Sequence, residues 1–143
     1  MAAALGRLLG AEHVVALEGP LGVGKTHFVQ GIAAGLGMSS QTVLNSPSFS
    51  LVQSYQGGRV QLHHVDLYRL QRAEDLIELG LEALSSEGVL VVEWASLFPQ
   101  ALPLDRLEIQ MDFDGAPTHR CMAVTALGDR SKSLQQQWLS QRK

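Results

Sequence analysis

The stretch from Gly19 to Thr26, which reads GPLGVGKT, decides the fold of this chain. It matches the phosphate-loop pattern G-x-x-x-x-G-K-[ST]. Glycines let the backbone curl so that its N–H groups face inward and form a nest for an anion. In this pattern Lys25 reaches the β- and γ-phosphates of a nucleotide, and the hydroxyl of Thr26 can bind Mg²⁺. The sequence therefore predicts a nucleotide-phosphate site.

The residues on either side have the periodicities that a phosphate loop requires. His13–Leu17 (HVVAL) is a short apolar run, which is typical of a buried strand. From Lys25 to Leu36 the apolar residues fall on one helical face, and Gly37 ends the pattern. We therefore expect a strand, a glycine loop and a helix in that order, with the helix N-terminus also facing the anion.

The rest of the chain alternates between strand and helix patterns. Strands are predicted at Leu51–Tyr55, Val60–Val65, Val89–Val92, Leu107–Phe113 and Cys121–Ala126. Helices are predicted at Glu74–Leu84, with Leu76, Ile77, Leu81 and Leu84 on one stripe, and at Ser131–Gln141, anchored by Leu134 and Trp138. These patterns predict an α/β fold with a P-loop NTPase-like mixed sheet. Its centre is parallel, antiparallel hairpins flank that centre, and helices cover the sheet.

Composition narrows the class of protein. The 143 residues suit one domain, 1–143, in which 131–143 form a polar C-terminal helix. Apolar residues make up 45% of the chain, which excludes a wholly disordered protein. Cys121 is the single cysteine, no run of 18 apolar residues occurs, and no signal peptide is evident, so we expect a cytoplasmic protein without a membrane partner. A net charge of −3 counts against a stand-alone nucleic-acid binder.

Two carboxylates follow predicted strands and are candidates for the Mg²⁺ side of the site. Glu93 directly follows the predicted strand Val89–Val92, and Asp66 directly follows the predicted strand Val60–Val65. Period-2 geometry puts His64 and Asp66 on one face of their strand. A metal cluster of His63, His64 and Asp66 is a less favoured alternative, because no further His or Cys lies at ligand spacing.

Three other features lie near the predicted site. The segment 46–50 (SPSFS) occupies the region that senses the γ-phosphate in many P-loop enzymes, so Ser48 or Ser50 can supply a hydroxyl; an ordinary turn is the alternative. Trp94 either walls the site or lies at the edge of the core. Arg69 either meets a phosphate or pairs with a carboxylate.

Five segments occur in this order: GPLGVGKT (19–26), SPSFSLV (46–52), HVDLYRL (64–70), EDLIELGL (74–81) and VVEW (91–94). Together they resemble the TsaE family, also called YjeE, the tRNA threonylcarbamoyladenosine biosynthesis ATPase. The resemblance extends from about Leu5 to the terminal helix. A phosphate loop alone is unspecific, whereas this combination at these distances is highly specific.

The resemblance implies a small bacterial ATPase that binds ATP (and its product ADP) with Mg²⁺. It also implies that the chain works with TsaB and TsaD in modifying adenosine 37 of tRNAs that read ANN codons, with hydrolysis resetting the complex. The acidic pI of about 5.9 indicates that any contact with tRNA runs through the partners. The family's catalytic positions correspond to Asp66, Glu93 and Ser48, and its metal ligands to Thr26 and Glu93. Its nucleotide-binding positions correspond to Gly19, Leu21, Gly22, Val23, Gly24, Lys25, Thr26 and Trp94.

The chain departs from the family pattern at two positions and at its start. Pro20 stands where Asp is common, Ser48 stands where Thr is commoner, and the segment before Leu5 is short. Two other functions stay open on the residues alone. A small P-loop kinase is one, although such kinases usually carry several arginines over the phosphates. A nucleotide-gated adaptor that does not need hydrolysis is the other.

Overall fold

A mixed β-sheet forms the centre of the protein, in a computed structural model that describes residues 1–39, 52–68, 70, 72, 74–115 and 119–141. The strands are β1 (Val14–Glu18), β2 (Val52–Tyr55), β3 (Gln61–Asp66), β4 (Gly88–Glu93), β5 (Arg106–Phe113) and β6 (Arg120–Leu127). The helices are α1 (Ala2–Leu8), α2 (Lys25–Gly35), α3 (Glu74–Leu79), α4 (Leu81–Glu87) and α5 (Asp129–Ser140). Two short 3₁₀ turns, Ala95–Leu97 and Pro99–Ala101, follow β4.

The strand order confirms the predicted architecture. The sheet runs β2-β3-β4-β1-β5-β6. The pairs β3–β4, β4–β1 and β1–β5 are parallel, whereas the outer pairs β2–β3 and β5–β6 are antiparallel hairpins. In sheets of this kind ligands bind beyond the carboxyl ends of the parallel strands. The end of β1 at Glu18, the end of β3 at Asp66 and the end of β4 at Glu93 therefore lie along one edge.

Both faces of the central strands are buried, as the apolar run Val89–Val92 predicted. Every residue of β4 is buried, and this strand lies between β3 and β1. Val15 and Leu17 of β1 pack into the layer formed with α1, α2 and α5. Val14 and Ala16 face the opposite layer, which includes Leu81 of α4. The continuous apolar patterns of β1 and β4 follow from this double burial.

Helix α1 was not foreseen, and its contact with α2 depends on glycine. A Cβ atom on Gly6 would overlap the carbonyl oxygen of Ile32, and one on Gly35 would overlap that of Ala3. The two helix backbones therefore touch at a distance that only glycine allows. Helix α1 has only seven residues and a single charge, so its sequence gives a weak helical pattern. Its stability comes from packing against α2 rather than from local propensity.

The single helix predicted over Glu74–Leu84 is wrong, because two helices occupy this region. Gly80 has a φ of 65°, in the left-handed region, and separates α3 from α4. The change in direction removes Ile77 from the expected buried stripe, and its side chain is 80% exposed. Leu81 is buried as predicted. Gly80 matters here because left-handed backbone is strained for other L residues.

The last hairpin and the last helix follow their predicted patterns closely. Leu107, Ile109 and Met111 are buried on one face of β5, but Phe113 is 42% exposed, which corrects the last position of that stripe. Helix α5 begins at Asp129, two residues before the prediction, and Leu134 and Trp138 are its buried anchors. Within the described part of the chain, no helix is long and apolar enough to cross a membrane.

Candidate functional site

The phosphate loop joins β1 to α2 as its pattern predicted. Gly19, Gly22 and Gly24 have φ angles of 155°, 79° and 108°, which L side chains rarely adopt. A Cβ atom on Gly19 would also lie 2.6 Å from the carbonyl oxygen of Met111. The loop thus needs glycine both for its backbone angles and for its approach to β5.

Lys25 is held within this loop. Its side chain is buried, and Nζ donates a 2.6 Å hydrogen bond to the carbonyl oxygen of Gly19. Nζ also lies 4.0 Å from the centre of the Trp94 ring, which attracts a cation electrostatically. The ammonium group is therefore held at the mouth of the anion nest, between the loop backbone and an aromatic face.

Trp94 packs against the core and also lies beside the phosphate loop. Its φ of 60° lies in the left-handed region, where a bulky residue is an outlier. The half-buried ring lies 5.0 Å, centre to centre, from the ring of Tyr68, which is 59% exposed. Of the two expected roles, the contact with Lys25 favours a wall of the site, and the unusual backbone angle agrees with a functional position.

The two candidate carboxylates lie side by side. Asp66 and Glu93 are partners in the parallel register of β3 and β4, and Glu93 is also aligned with Leu17 of β1. Glu93 is only 3% exposed, and its Oε2 accepts a 2.5 Å hydrogen bond from Nε2 of His64. One acidic pair therefore borders the phosphate loop at the edge predicted for ligand binding.

The environment of Asp66 favours its neutral form relative to an exposed aspartate. Burial raises the pKa of its carboxyl, against the effect of a 2.9 Å hydrogen bond that Oδ1 accepts from the backbone N–H of Tyr68. The negative charge of Glu93 raises the pKa further, and the positive charge of Lys25 lowers it. The net result is a raised pKa, and a carboxyl of this kind beside a phosphate site is suited to proton transfer or to orienting water.

The alternative of a histidine metal cluster finds no support. His63 and His64 project from opposite faces of β3, and Nδ1 of His63 forms a 2.7 Å hydrogen bond with the hydroxyl of Ser54. Burial lowers the pKa of the His63 imidazole. In the regions that the structure describes, no group of three or more His, Cys, Asp or Glu is arranged to hold a metal ion.

Two contacts in the site region were not predicted from the sequence. One is the hydrogen bond between His64 and Glu93 described above, and the other is made by Arg120. Nε of Arg120, at the start of β6, donates a 2.8 Å hydrogen bond to the carbonyl oxygen of Val23 in the phosphate loop. Its guanidinium group also lies 4.5 Å from the centre of the Phe113 ring. No local pattern reveals a contact across 97 residues, although Phe113 and Arg120 flank the predicted β5–β6 turn.

A cleft of about 480 Å³ opens beside the phosphate loop. It is lined by Met1, Phe28, Met111, Arg120, Cys121 and Met122. Phe28 lies in the first turns of α2, and Met111 approaches Gly19. The cleft therefore lies next to the phosphate loop, with an aromatic ring, thioethers and one cation in its walls.

The remaining predicted residues divide into two groups. Thr26 lies in the first turn of α2, and Val23 is buried behind the loop, whereas the side chain of Leu21 is 76% exposed at its tip. Ser48, with the rest of the segment 46–50, and Arg69 lie outside the described residues.

The fold and the site together define a protein of the P-loop nucleotide-binding class. A family model described as "Threonylcarbamoyl adenosine biosynthesis protein TsaE" matches residues 1–121. The chain belongs to the TsaE family.

Comparisons with individual proteins agree with this assignment. The chain is 40% identical over 122 residues to the tRNA threonylcarbamoyladenosine biosynthesis protein TsaE of Bacillus subtilis, covering 85% of this chain and 74% of that protein. It is 38% identical over 132 residues to the Streptomyces coelicolor protein of the same name, covering 88% of each. The crystal structure of Bacillus subtilis YdiB superimposes with a TM-score of 0.80 at 32% identity, covering 99% of this chain and 87% of that one.

Proposed function

We propose that this chain binds and hydrolyses ATP with Mg²⁺ as a subunit of the machinery that makes threonylcarbamoyladenosine in tRNA. Its family membership supports the pathway, since the relatives carry that role in their names. One observation carries the enzymatic part of the proposal. The phosphate loop, Asp66 and Glu93 converge at the carboxyl ends of β1, β3 and β4. An anion nest next to an acidic pair is the arrangement that phosphoryl transfer to water requires.

The loop binds the phosphates of ATP or ADP. Its backbone N–H groups and the N-terminus of α2 provide the nest, and Gly24 begins the helix there. Lys25 already lies at the nest and exchanges the Gly19 carbonyl for phosphate oxygens. In this proposal Leu21, at the exposed tip of the loop, contacts the phosphates through its backbone and not through its side chain.

Oxygen donors suited to Mg²⁺ lie beside the nest. Mg²⁺ is usually held by one or two carboxylates together with substrate phosphates and water, so a preformed cluster of three ligands is not needed. The hydroxyl of Thr26 and the carboxylate of Glu93 are the residues that would hold it. The ion would neutralise charge that develops on the phosphates. Asp66, with its raised pKa, orients the attacking water or accepts its proton.

The cleft beside Arg120 is our candidate for the adenine base. Phe28 and the methionines offer apolar contact to a flat ring. Two residues of its lining, Met111 and Arg120, contact the phosphate loop at Gly19 and Val23. A second cleft of about 360 Å³ includes Glu18 and Glu108 in its lining. Carboxylates without a bound cation repel phosphate groups, and no described residue that lines the first cleft carries one, so we favour the first cleft.

The partners in this proposal are TsaB and TsaD, and tRNA is contacted through them. The net charge of −3 supports an indirect contact with tRNA, because proteins that grip nucleic acid alone usually carry a basic surface. Hydrolysis of ATP would reset the complex between turnovers, which requires contact surfaces that differ between the ATP and ADP states.

The test compares hydrolysis and nucleotide binding in three proteins: wild type, Asp66→Ala and Glu93→Ala. We expect both variants to lose hydrolysis about 100-fold while they keep most of their affinity for ATP. Release of phosphate is measured with and without TsaB–TsaD, and ATP affinity is measured by calorimetry. Wild-type protein that binds no ATP would contradict the proposal. Binding without hydrolysis, even with the partners, would favour a nucleotide-gated adaptor.

A further inference from the structure

Two buried histidines occupy consecutive positions on β3, and their rings meet different groups. His63 is 2% exposed and His64 is 1% exposed. His63 contacts the hydroxyl of Ser54 on β2 through Nδ1. Nε2 of His64 lies 2.5 Å from Oε2 of Glu93 on β4. Of the two rings, that of His64 is directed at a carboxylate to which the proposed function assigns Mg²⁺.

The chemistry of the two groups gives this hydrogen bond its direction. A carboxylate accepts, so the imidazole of His64 carries its proton on Nε2 and donates it. Nδ1 of the same ring is buried and has no hydrogen-bond partner in the described part of the chain. A proton on Nδ1 would therefore be a buried donor without an acceptor, which costs free energy. The ring is thus fixed as a donor toward Glu93.

We propose that His64 is the positioning residue for the metal-binding carboxylate of Glu93. Its hydrogen bond to Oε2 fixes the rotation of the carboxylate at the end of β4 before a nucleotide arrives. The hydrogen bond occupies Oε2, so Oε1 is the oxygen that would bind the ion. Groups that orient a metal ligand in this way typically change metal affinity by roughly 10- to 100-fold when removed. This inference rests on the proposed function.

The experiment separates positioning from simple stabilisation of the core. Binding of a non-hydrolysable ATP analogue is followed by calorimetry at increasing Mg²⁺ concentration, and the concentration that gives half of the Mg²⁺ effect is recorded. Three variants are compared with wild type. His64→Leu removes the donor, and His64→Gln keeps an N–H donor at a similar reach. His63→Leu is the matched control, since it makes the same chemical change at an equally buried neighbour.

We expect His64→Leu to raise the half-effect Mg²⁺ concentration by roughly 10- to 100-fold. His64→Gln should restore most of the wild-type behaviour, and His63→Leu should titrate like wild type even if it unfolds at a lower denaturant concentration. A folded His64→Leu variant with wild-type Mg²⁺ dependence overturns the inference. So does an equal loss in His63→Leu, because the effect would then come from stability. If His64→Leu does not fold, the shorter amide of His64→Asn decides by the same titration.

The variant Glu93→Gln distinguishes this inference from the function on which it rests. A wild-type protein that binds no analogue, or a Glu93→Gln variant that titrates with Mg²⁺ like wild type, removes the proposed metal role itself. If Glu93→Gln weakens the Mg²⁺ effect and His64→Leu does not, the proposed function stands and the positioning role of His64 is wrong.

Discussion

At the scale of single residues, Lys25 is the one charged side chain in the phosphate loop, residues 19–26. Its ammonium group has two partners, the Gly19 carbonyl oxygen and the Trp94 ring. The carbonyl oxygen and the aromatic ring hold the ammonium group at the loop without neutralising its charge, because neither group carries a full negative charge. A phosphate therefore meets a desolvated cation that is already in place, and electrostatic attraction is strong where water is excluded.

We expect Lys25→Ala to weaken ATP binding by about 10- to 100-fold. A charge-assisted hydrogen bond contributes about 1.5–3 kcal/mol, which corresponds to that range. Calorimetric titration of the variant with ATP checks the prediction, and Lys132→Ala on the exposed surface of α5 is the control. Affinity equal to wild type in Lys25→Ala would remove the loop from the binding site.

Sequence reasoning was strong at this scale where chemistry has a local pattern. The glycines and Lys25 follow from their spacing, and Asp66 and Glu93 from their positions after strands. The contacts of His64 and Arg120 could not be foreseen. Each depends on a partner that is distant in sequence, Glu93 across 29 residues and Val23 across 97. The register of β3 against β4 creates the first contact, and the position of β6 beside the loop creates the second.

At the scale of helices and strands, the close contact between α1 and α2 is the most demanding packing feature. Gly6 and Gly35 face carbonyl oxygens of the opposite helix with no room for a methyl group. We expect Gly6→Ala to lower the free energy of unfolding by about 1–3 kcal/mol, since the helices must move apart to accept it. Urea unfolding measures the change. Gly10→Ala is the control, because a Cβ atom there meets nothing within 4 Å. An equal effect of both substitutions would contradict the packing argument.

The N-terminus of α5 depends on a carboxylate from another part of the chain. Asp105 accepts 2.9 Å hydrogen bonds from the backbone N–H groups of Arg130 and Ser131, so it caps the helix although it lies before β5. Burial alone would raise the pKa of Asp105, but the hydrogen bonds from Ser131 and Arg130, with the charge of Arg130, outweigh it. The pKa of the folded protein's Asp105 is therefore lowered.

A lowered pKa predicts stabilisation that acid removes. The cap is fully present above the unfolded-state pKa of about 3.9, and it is lost as pH falls through the lower folded-state value. We expect Asp105→Asn to cost about 0.5–2 kcal/mol at pH 7, because both carboxylate oxygens accept a hydrogen bond and the amide NH₂ that replaces one of them cannot. That difference from wild type should shrink below about pH 4. Denaturant unfolding across this pH range tests it, with the exposed Asp112→Asn as control. A difference that does not depend on pH would contradict the role assigned to the charge.

Boundaries between elements were the weaker part of the sequence-based prediction. The apolar stripe at Glu74–Leu84 continues across Gly80, so periodicity alone favours one helix. The left-handed angle at Gly80 is a property of the backbone that the stripe does not report. Helix α1 escaped prediction for a related reason, because its seven residues are stabilised by contact with α2 rather than by a strong local pattern.

At the scale of the whole molecule, the topology brings three chain segments to one edge and leaves that edge partly apolar. The parallel centre and antiparallel hairpins followed from the sequence because the runs differ in pattern, continuous in β4 and alternating in β5. Tyr68 and Leu21 are exposed apolar side chains at this edge. Exposed apolar groups beside the candidate site are suited to contact with a partner.

We expect the isolated protein to hydrolyse ATP slowly and TsaB–TsaD to raise the rate by about tenfold or more. P-loop enzymes are often slow until a partner contributes charge or positioning at the phosphates. Phosphate release with and without the partners measures the stimulation. Tyr68→Ala should reduce the stimulation, whereas Leu104→Ala should not, because Leu104 precedes β5 and lies at the opposite edge of the sheet. Fast turnover without partners would contradict this prediction.

During protein synthesis, the hydrogen bond between Arg120 and Val23 can form only after most of the chain has been translated. Ribosomes add roughly 5–20 residues per second. The 97 residues between these two positions therefore take roughly 5–20 seconds to translate, and for that time the loop backbone exists without the guanidinium that holds its carbonyl. The phosphate loop therefore gains this hydrogen bond only late in synthesis, after β6 has joined the sheet.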